Sequence, residues 1–585
     1  MNILESFFNK SFLRLTSFFV LLCAMQLTPT TLTSQEPTWQ WAKSGGGTGS
    51  DAGTAVTTDA SNNIYTCGRF SGYSLFGSTP LTSSGQTDVV IARYNASGAC
   101  LWAVKGGGTG ADEPNAITTD DSGNVYVTGF FSGTATFGAA TLVSIGGRDA
   151  FVVKYNAAGV VQWARRGGSV GNEAGNSIAV DASRNIYITG VYSDSTKFGS
   201  LAKLTSVGQS DIFLLQYNSS GTEQWSKSIG GTGTDAGNDI TVDASSLYLS
   251  GSYNGSIIIG TDTLISQGNS DAFVAKFNTS GVAQWARSGG GTGIDAGIAL
   301  ALDATSNVIV TGNFEQKAYF GNDSVTSAGN NDVFLVKYNS SGAFQWVRRG
   351  GGADGDYSQD LAIDLTGNIY LTGFYSNSTT FGSRTVSSSG LTDLFVAKYT
   401  SAGSISWLQR AGGSDYDFPY GVAADKLGNI FVVGDYYYQS TFWTTNLNAL
   451  GNYDFFIARL SDIITNDAGI ISINFPTAPF PQGPAAVTAT IKNFGINQID
   501  SVRINWSFNG VAQAQIVYRT PLGVGQTATV PLGTPTFPPK TFSEVIATTT
   551  LPNNTADYNE ANDGRIGLGG PRTRTRCLYT RRFAC

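Results

Sequence analysis

Seven tryptophans set the frame for this chain. Trp41, Trp102, Trp163, Trp225, Trp285, Trp346 and Trp407 are separated by 61, 61, 62, 60, 61 and 61 residues. A constant period means that one supersecondary unit is built repeatedly, each copy burying its apolar face against its neighbours. The second copy reads "LWAVKGGGTGADEPNAITTDDSGNVYVTGFFSGTATFGAATLVSIGGRDAFVVKYNAAG". It holds four short runs rich in Val, Ile, Tyr and Phe: "LWAVK", "NAITTD", "NVYVTGF" and "DAFVVKYN". Runs of this length bounded by Gly, Asn and Asp read as strands.

The connections order those strands. "DDSGN" and "NAAGV" are tight turns that make hairpins, whereas the glycine loop and "SGTATFGAATLVSIGG" are longer. The glycine loop is the segment left to cross between copies. "AITTD" is therefore innermost, "VYVTG" second, "FVVKY" third and the Trp strand outermost. Seven four-stranded units predict an all-β fold, a seven-bladed β-propeller over residues 35–461. The last copy, ending "YDFFIARL", lacks its own Trp strand, and "TWQWAKS" (38–44) has no preceding copy. This N-terminal strand is predicted to complete the seventh blade and leave no free edge.

The motifs "DLTGNIYLTG" (364–373) and "DLFVAKYTSAG" (393–403), with variants in every copy, resemble the seven-bladed beta-propeller repeat family (SBBP), a relative of NHL-type propellers. That resemblance implies the fold; its members are mostly uncharacterised surface or secreted proteins. After a polar linker the repeat ends, and "AAVTATIKNFG" and "SVRINWSFNGVAQAQIVY" alternate apolar and polar residues around an Asn509-Gly510 turn. An immunoglobulin-like β-sandwich is predicted for 467–563. Through "DAGIISINFP", "VTATIKNFG" and "DYNEAND" it resembles the CARDB domain, which implies adhesion or spacing. Residues 564–585, with six Arg and two Cys, read as a tail foreign to the domain, consistent with a shifted reading frame or a lost sorting module.

Composition excludes several chemistries. There is no histidine in 585 residues, so a histidine general base, a Ser-His-Asp triad and a histidine zinc site are ruled out. Net charge is −7 with no basic cluster before the tail, which argues against a nucleic-acid partner. Residues 1–34, with Lys10, Arg14 and an apolar run around "SFFVLLCAMQL", have the layout of a secretory signal peptide, too short for a transmembrane span. The mature chain is expected outside the cell or on its surface, as a monomer. Cys67 and Cys100 fall on the second and outermost strands of one blade, too far apart for a disulfide, and are expected as free thiols.

Three acidic columns run through the copies. Asp59, Asp120, Asp181, Asp243, Asp303, Asp364 and Asp425 lie in the first hairpin turn, where Asp bonds its own backbone. Asp88, Asp149, Asp211, Asp271, Asp332, Asp393 and Asp454 open the third strand and are read as backbone caps. Asp51, Asp112, Glu173, Asp235, Asp295, Asp356 and Asp417 lie in the glycine loop. Capping is the first reading for these too; the alternative is a ring of carboxylates at the channel mouth holding calcium. No other cofactor is implied.

Repetition explains repeated residues, so a site is sought where one copy departs. The seventh does most. Its loop is "GGSDYDFPYG" and its long segment begins "DYYYQSTFW". Tyr416, Asp417, Phe418, Tyr420, Tyr436, Tyr437, Tyr438 and Trp443 form the candidate ligand-binding set, suited to stacking on a sugar ring or a protein surface. The reading is a non-enzymatic adhesion-type binding or scaffolding protein. The alternatives are a carboxylate-pair glycosidase and a structural spacer.

Overall fold

The computed structural model describes residues 37–461, 467–476, 483–495, 497–538, 543–550, 552–554 and 564–569. The segment read as a signal peptide, 1–34, and most of the Arg-rich tail lie outside them. The chain divides into two compact bodies, Glu36–Ile463 and a second built from the sequence after it. The architecture is all-β, many small antiparallel sheets with one short 3-10 turn, Pro552–Asn554. No helix among the described residues is long and apolar enough to cross a membrane.

The first body consists of four-stranded antiparallel modules. In module one, Ala52–Thr58, Ile64–Phe70, Asp88–Tyr94 and Cys100–Gly108 pair in chain order. Modules two to six repeat this order. Module seven comprises Asp417–Ala424, Asn429–Phe442 and Thr445–Ser461, and its fourth strand is Thr38–Gly47, paired from Thr38↔Ser461 to Gly45↔Phe455. The first strand of each module lies beside that of the next, and Asp417–Ala424 lies beside Ala52–Thr58. Apolar cores form between modules: Val56, Ile64 and Val90 of module one cluster with Val433, Phe455 and Ile457 of module seven.

The period has a visible cause. Trp41 donates its indole N–H to the Ala96 carbonyl at 3.1 Å, and Trp102 does the same to Ala157 at 3.3 Å. In each case the acceptor belongs to the turn between the third and fourth strands of the following module. The ring lies against the left-handed glycine of that turn, where a Cβ on Gly98 would stand 2.9 Å from Trp41. Trp41, Trp102, Trp163 and Trp285 are clasps of this kind between successive modules.

The long segment read as a loop is instead a hairpin, in module one Tyr73–Phe76 with Thr79–Thr82. It pairs backward onto the fourth strand of the preceding module, as Gly45↔Phe76, Gly106↔Phe137 and Gly350↔Phe381. Close approach explains this: a Cβ on Gly350 would stand 1.9 Å from the Phe381 ring, so only glycine admits the ring there. At four junctions the glycine run is strand and joins one sheet to the next module's hairpin. Gly167↔Phe198 and Gly412↔Thr441 are single bridges, and Ser256–Ile259 with Asp262–Ile265 stands as a separate two-stranded sheet.

In the second body Ala468–Asn474, Val487–Asn493 and Thr527–Gly533 form one sheet. Val502–Phe508 pairs with Val511–Ala512 across Asn509-Gly510, both at positive φ as a type I′ turn requires, and with Ser543–Thr550. Apolar residues of both sheets, including Ile491, Val530, Ile504 and Val545, share one cluster. Gly564–Gly569, placed by sequence in the tail, is an added strand paired with Ser543–Thr550.

Candidate functional site

Each turn-column carboxylate closes its own hairpin. Asp59 accepts the backbone N–H of Ser61 and Asn63, the Asn63 amide and the Tyr65 hydroxyl, at 2.7 to 3.3 Å. Burial alone would raise the proton affinity of Asp120, Asp243, Asp303 and Asp364, but hydrogen bonds outweigh it and all four are lowered, Asp303 foremost by Lys337 at 2.9 Å. The strand-opening acids accept the N–H four residues earlier, as Asp393 does from Ser389 at 2.8 Å. Asp88, Asp149, Asp332 and Asp393 are also paired with Lys105, Arg166, Arg349 and Arg410. Where serine replaces that cation, a tyrosine hydroxyl meets it, as Tyr192 meets Ser228 at 2.6 Å.

The glycine-loop acids are fully buried. Asp51, Asp112, Glu173, Asp235, Asp295, Asp356 and Asp417 are each at most 1% exposed. Each accepts the N–H four residues before it, at 2.6 to 3.1 Å. Several take a second N–H from the following hairpin, as Asp51 does from Ser71 at 3.1 Å. Burial is the main cause of their raised proton affinity, with the strand-opening acid of the preceding module adding repulsion. Asp51 is pushed to about 6, Asp295 and Asp417 to about 7, and Glu173 to about 8. Among the described residues no three His, Cys, Asp or Glu side chains converge as a metal site would require.

The aromatic residues of module seven separate into groups. Tyr436 is buried and bonds Ser44 at 2.8 Å, and Asp417 belongs to the loop cap just described. Tyr416 stacks on Phe418, which stands edge-on to Phe374 at 5.0 Å. Tyr437 lies 4.2 Å from Tyr438 and 5.0 Å from Tyr453, and its N–H donates to the Tyr416 carbonyl. Tyr420 is hydrogen-bonded to Asp435. Trp443 is apart, at the far turn of the hairpin. Five residues of strand place it roughly 16 Å along the chain from Tyr438.

Tyr438 and Trp443 occupy the two left-handed positions of that hairpin, with φ of 57° and 56°. The other six modules place Gly, Asp, Gln or Asn at the first position and Gly at all six equivalents of the second. A bulky residue held there carries a strain of about 1–3 kcal/mol. Neither side chain recovers that by burial, since they are 60% and 61% exposed. Tyr416, 39% exposed, borders the same hairpin.

Sequence reasoning missed two groups of charged residues. Asp239 and Asp360 follow the bulge in the first strands of modules four and six, where the others carry Ala, Ser or Gly. Their carboxylates accept the backbone N–H of Leu300 and Val422, in the next module. Burial, with repulsion from Asp239 in a lesser part, pushes Asp360 to about 8. The second group joins modules seven, one and two. Arg69 holds Glu113 at 3.0 Å and faces Asp435, which burial pushes to about 7 against the pull of Arg69 and Tyr420. One Asp435 oxygen is buried with no hydrogen-bond partner. Aligning the copies and asking where a residue breaks its column would have found Asp239 and Asp360; Arg69 and Asp435 share a column that also holds Phe, Val, Ser and Asn, so no broken pattern marks them.

The family model described as "Beta-propeller repeat" matches residues 106–129 and 406–435. An uncharacterized WD repeat-containing protein of Acanthamoeba polyphaga mimivirus is 25% identical over 535 residues, covering 72% of this chain and 38% of its own. Regulatory protein FlaEY of Caulobacter vibrioides is 28% identical over 142 residues, 24% of this chain and 15% of its own. The chain thus spans less than half the length of these curated relatives. Among solved structures, a Dyadobacter fermentans protein of unknown function covers 73% of this chain and 98% of its own at 8% identity and a TM-score of 0.33. The CARDB domain of a Pyrococcus furiosus protein, solved with di-metal ions, covers 18% of this chain and 90% of its own at 18% identity and a TM-score of 0.16.

Proposed function

We propose that the seven modules close into a seven-bladed β-propeller, that the second body is an immunoglobulin-like sandwich, and that the chain is an exported, non-enzymatic binding protein of adhesion type. Its ligand is a glycan or a protein met at the aromatic hairpin of module seven. The observation that carries this reading is the placement of Tyr438 and Trp443: strained, exposed and confined to one module of seven. Packing does not account for side chains that pack against so little. Exposed Tyr and Trp rings offer an apolar face and a polar edge, which suits stacking on a sugar.

A glycan array probed with residues 35–585, with and without calcium, tests this directly. Retention of specific uncharged glycans is expected, lost on Trp443→Gly. That substitution should also raise thermal stability, because glycine suits the left-handed turn. A variant that binds as before, or that unfolds more easily, would return Trp443 to a structural role.

One observation favours a second reading, a carboxylate-pair hydrolase. Asp435 is a readily protonated acid, and Glu113 is held by Arg69 on the neighbouring junction, so the two carboxylates stand in different surroundings. Turnover of an array hit, abolished by Asp435→Asn, would establish it; binding without turnover supports the first.

A further inference from the structure

Module three departs from the period, and the departure makes a cleft. From Phe198 of the hairpin to Ser206 is eight residues, whereas Phe76 to Ser83, Phe137 to Ser144 and Phe381 to Ser388 are each seven. The added residue accounts for the 62-residue tryptophan interval. Its structural effect is a shortened ladder: Ser195–Thr196 pairs with Leu204–Thr205 alone, and 197–203 lie outside that ladder, with Phe198 buried and bridged to Gly167. Beside this segment lies a cavity of about 460 Å³, walled by module two on its other side.

The lining is unusual for a chain of net charge −7. Arg165, Arg166, Lys197 and Lys203 line the cavity with one carboxylate, Glu223. The two arginines are fixed. Arg165 donates to the Gly221 carbonyl at 2.7 Å, and Arg166 is paired with Asp149 at 2.8 Å. Lys197 and Lys203 are exposed, and both sit in the segment outside the shortened ladder. Neither ammonium has a hydrogen bond or ion pair among the described residues. Ile145, 58% exposed, adds an apolar wall.

We infer that this cleft is a binding site for the anionic group of an acidic sugar, a carboxylate or sulfate ester carried on a pyranose ring. The volume falls in the range of small-molecule sites, roughly 300–1,000 Å³, and exceeds what a bare inorganic anion needs. The two lysines supply uncommitted charge for the anion, and the fixed guanidinium of Arg165 adds to the positive field. The apolar wall suits the carbon face of a ring. This site is separate from the aromatic hairpin and stands whether or not that hairpin binds a ligand.

Titration of the full chain with glucuronate, glucose 6-sulfate, glucose and free sulfate, each at low and high salt, tests the inference. Binding of one or both anionic sugars is expected, weakened at least tenfold in the Lys197→Gln/Lys203→Gln double variant and by raised salt, with glucose bound far more weakly. Deleting Ala202 restores the seven-residue spacing and should abolish the same binding while leaving the Tm near that of the parent. The inference is overturned if neither anionic sugar binds, if the lysine variant binds them as the parent does, or if free sulfate binds as tightly as the sugars.

Discussion

At the scale of single residues, the chain separates carboxylates by environment. Asp120, Asp243, Asp303 and Asp364 in hairpin turns are stabilised as anions by dense hydrogen bonds, whereas the acids in the glycine loops are buried, and burial favours their protonated form. Glu173 is the extreme case, raised from 4.5 to about 8. Between those values the folded protein holds a proton that the unfolded chain has released. Its contribution to stability is therefore full below pH 4.5 and lost as pH rises through about 8. Glu173→Gln should match the parent's Tm at pH 5 and lose less of it than the parent between pH 6 and 9, by thermal melts across that range. An equal loss in both proteins would place the pH dependence elsewhere. The three acidic columns were legible in the sequence because repetition aligns them. Burial of the glycine-loop column was not, since nothing in "SGGGTGSDAG" distinguishes a carboxylate turned inward to backbone N–H groups from one turned to a channel.

At the scale of elements, strands and tight turns followed from alternation and from Asp, Asn and Gly, and the fourth strand of module seven followed from counting strands. The hairpin after each second strand did not. Its pairing partner lies in another module, so no local pattern announces it, and its tip carries small residues that read as loop. The glycines facing it were misjudged for the same reason: their task is to leave room for a phenylalanine some thirty residues away in sequence. Gly350→Ala should destabilise the chain by about 1–3 kcal/mol, because the new methyl meets the Phe381 ring. Phe381→Ala alone is expected to be costly through the cavity it leaves. Combining the two should cost less than their sum, measured by denaturant unfolding, and strict additivity would mean that ring and glycine do not share the space. The aromatic candidates divide along the same line: Tyr436 alternates inward and is core, whereas Tyr438 and Trp443 sit at turns and are exposed.

At the scale of the whole molecule, module seven is assembled from sequence-distant segments, Thr38–Gly47 and Asp417–Ser461. Without its fourth strand, Thr445–Ser461 would present an unpaired edge, a template for association with other chains. A chain starting at residue 48 should therefore form oligomers in size-exclusion chromatography, and a synthetic 36–47 peptide should return it to monomer by adding the missing strand. A truncated chain that stays monomeric without the peptide would show the seam to be dispensable. The seam also decides how the first body responds to tension. Thr38 and Ser461 are direct register partners, so the backbone enters and leaves this body through neighbouring residues. A pull applied through its two flanks would load the ladder one pair at a time, peeling it from the Thr38 end instead of shearing all pairs together. Under traction this body would open like a zipper at one seam, with the other six modules left folded.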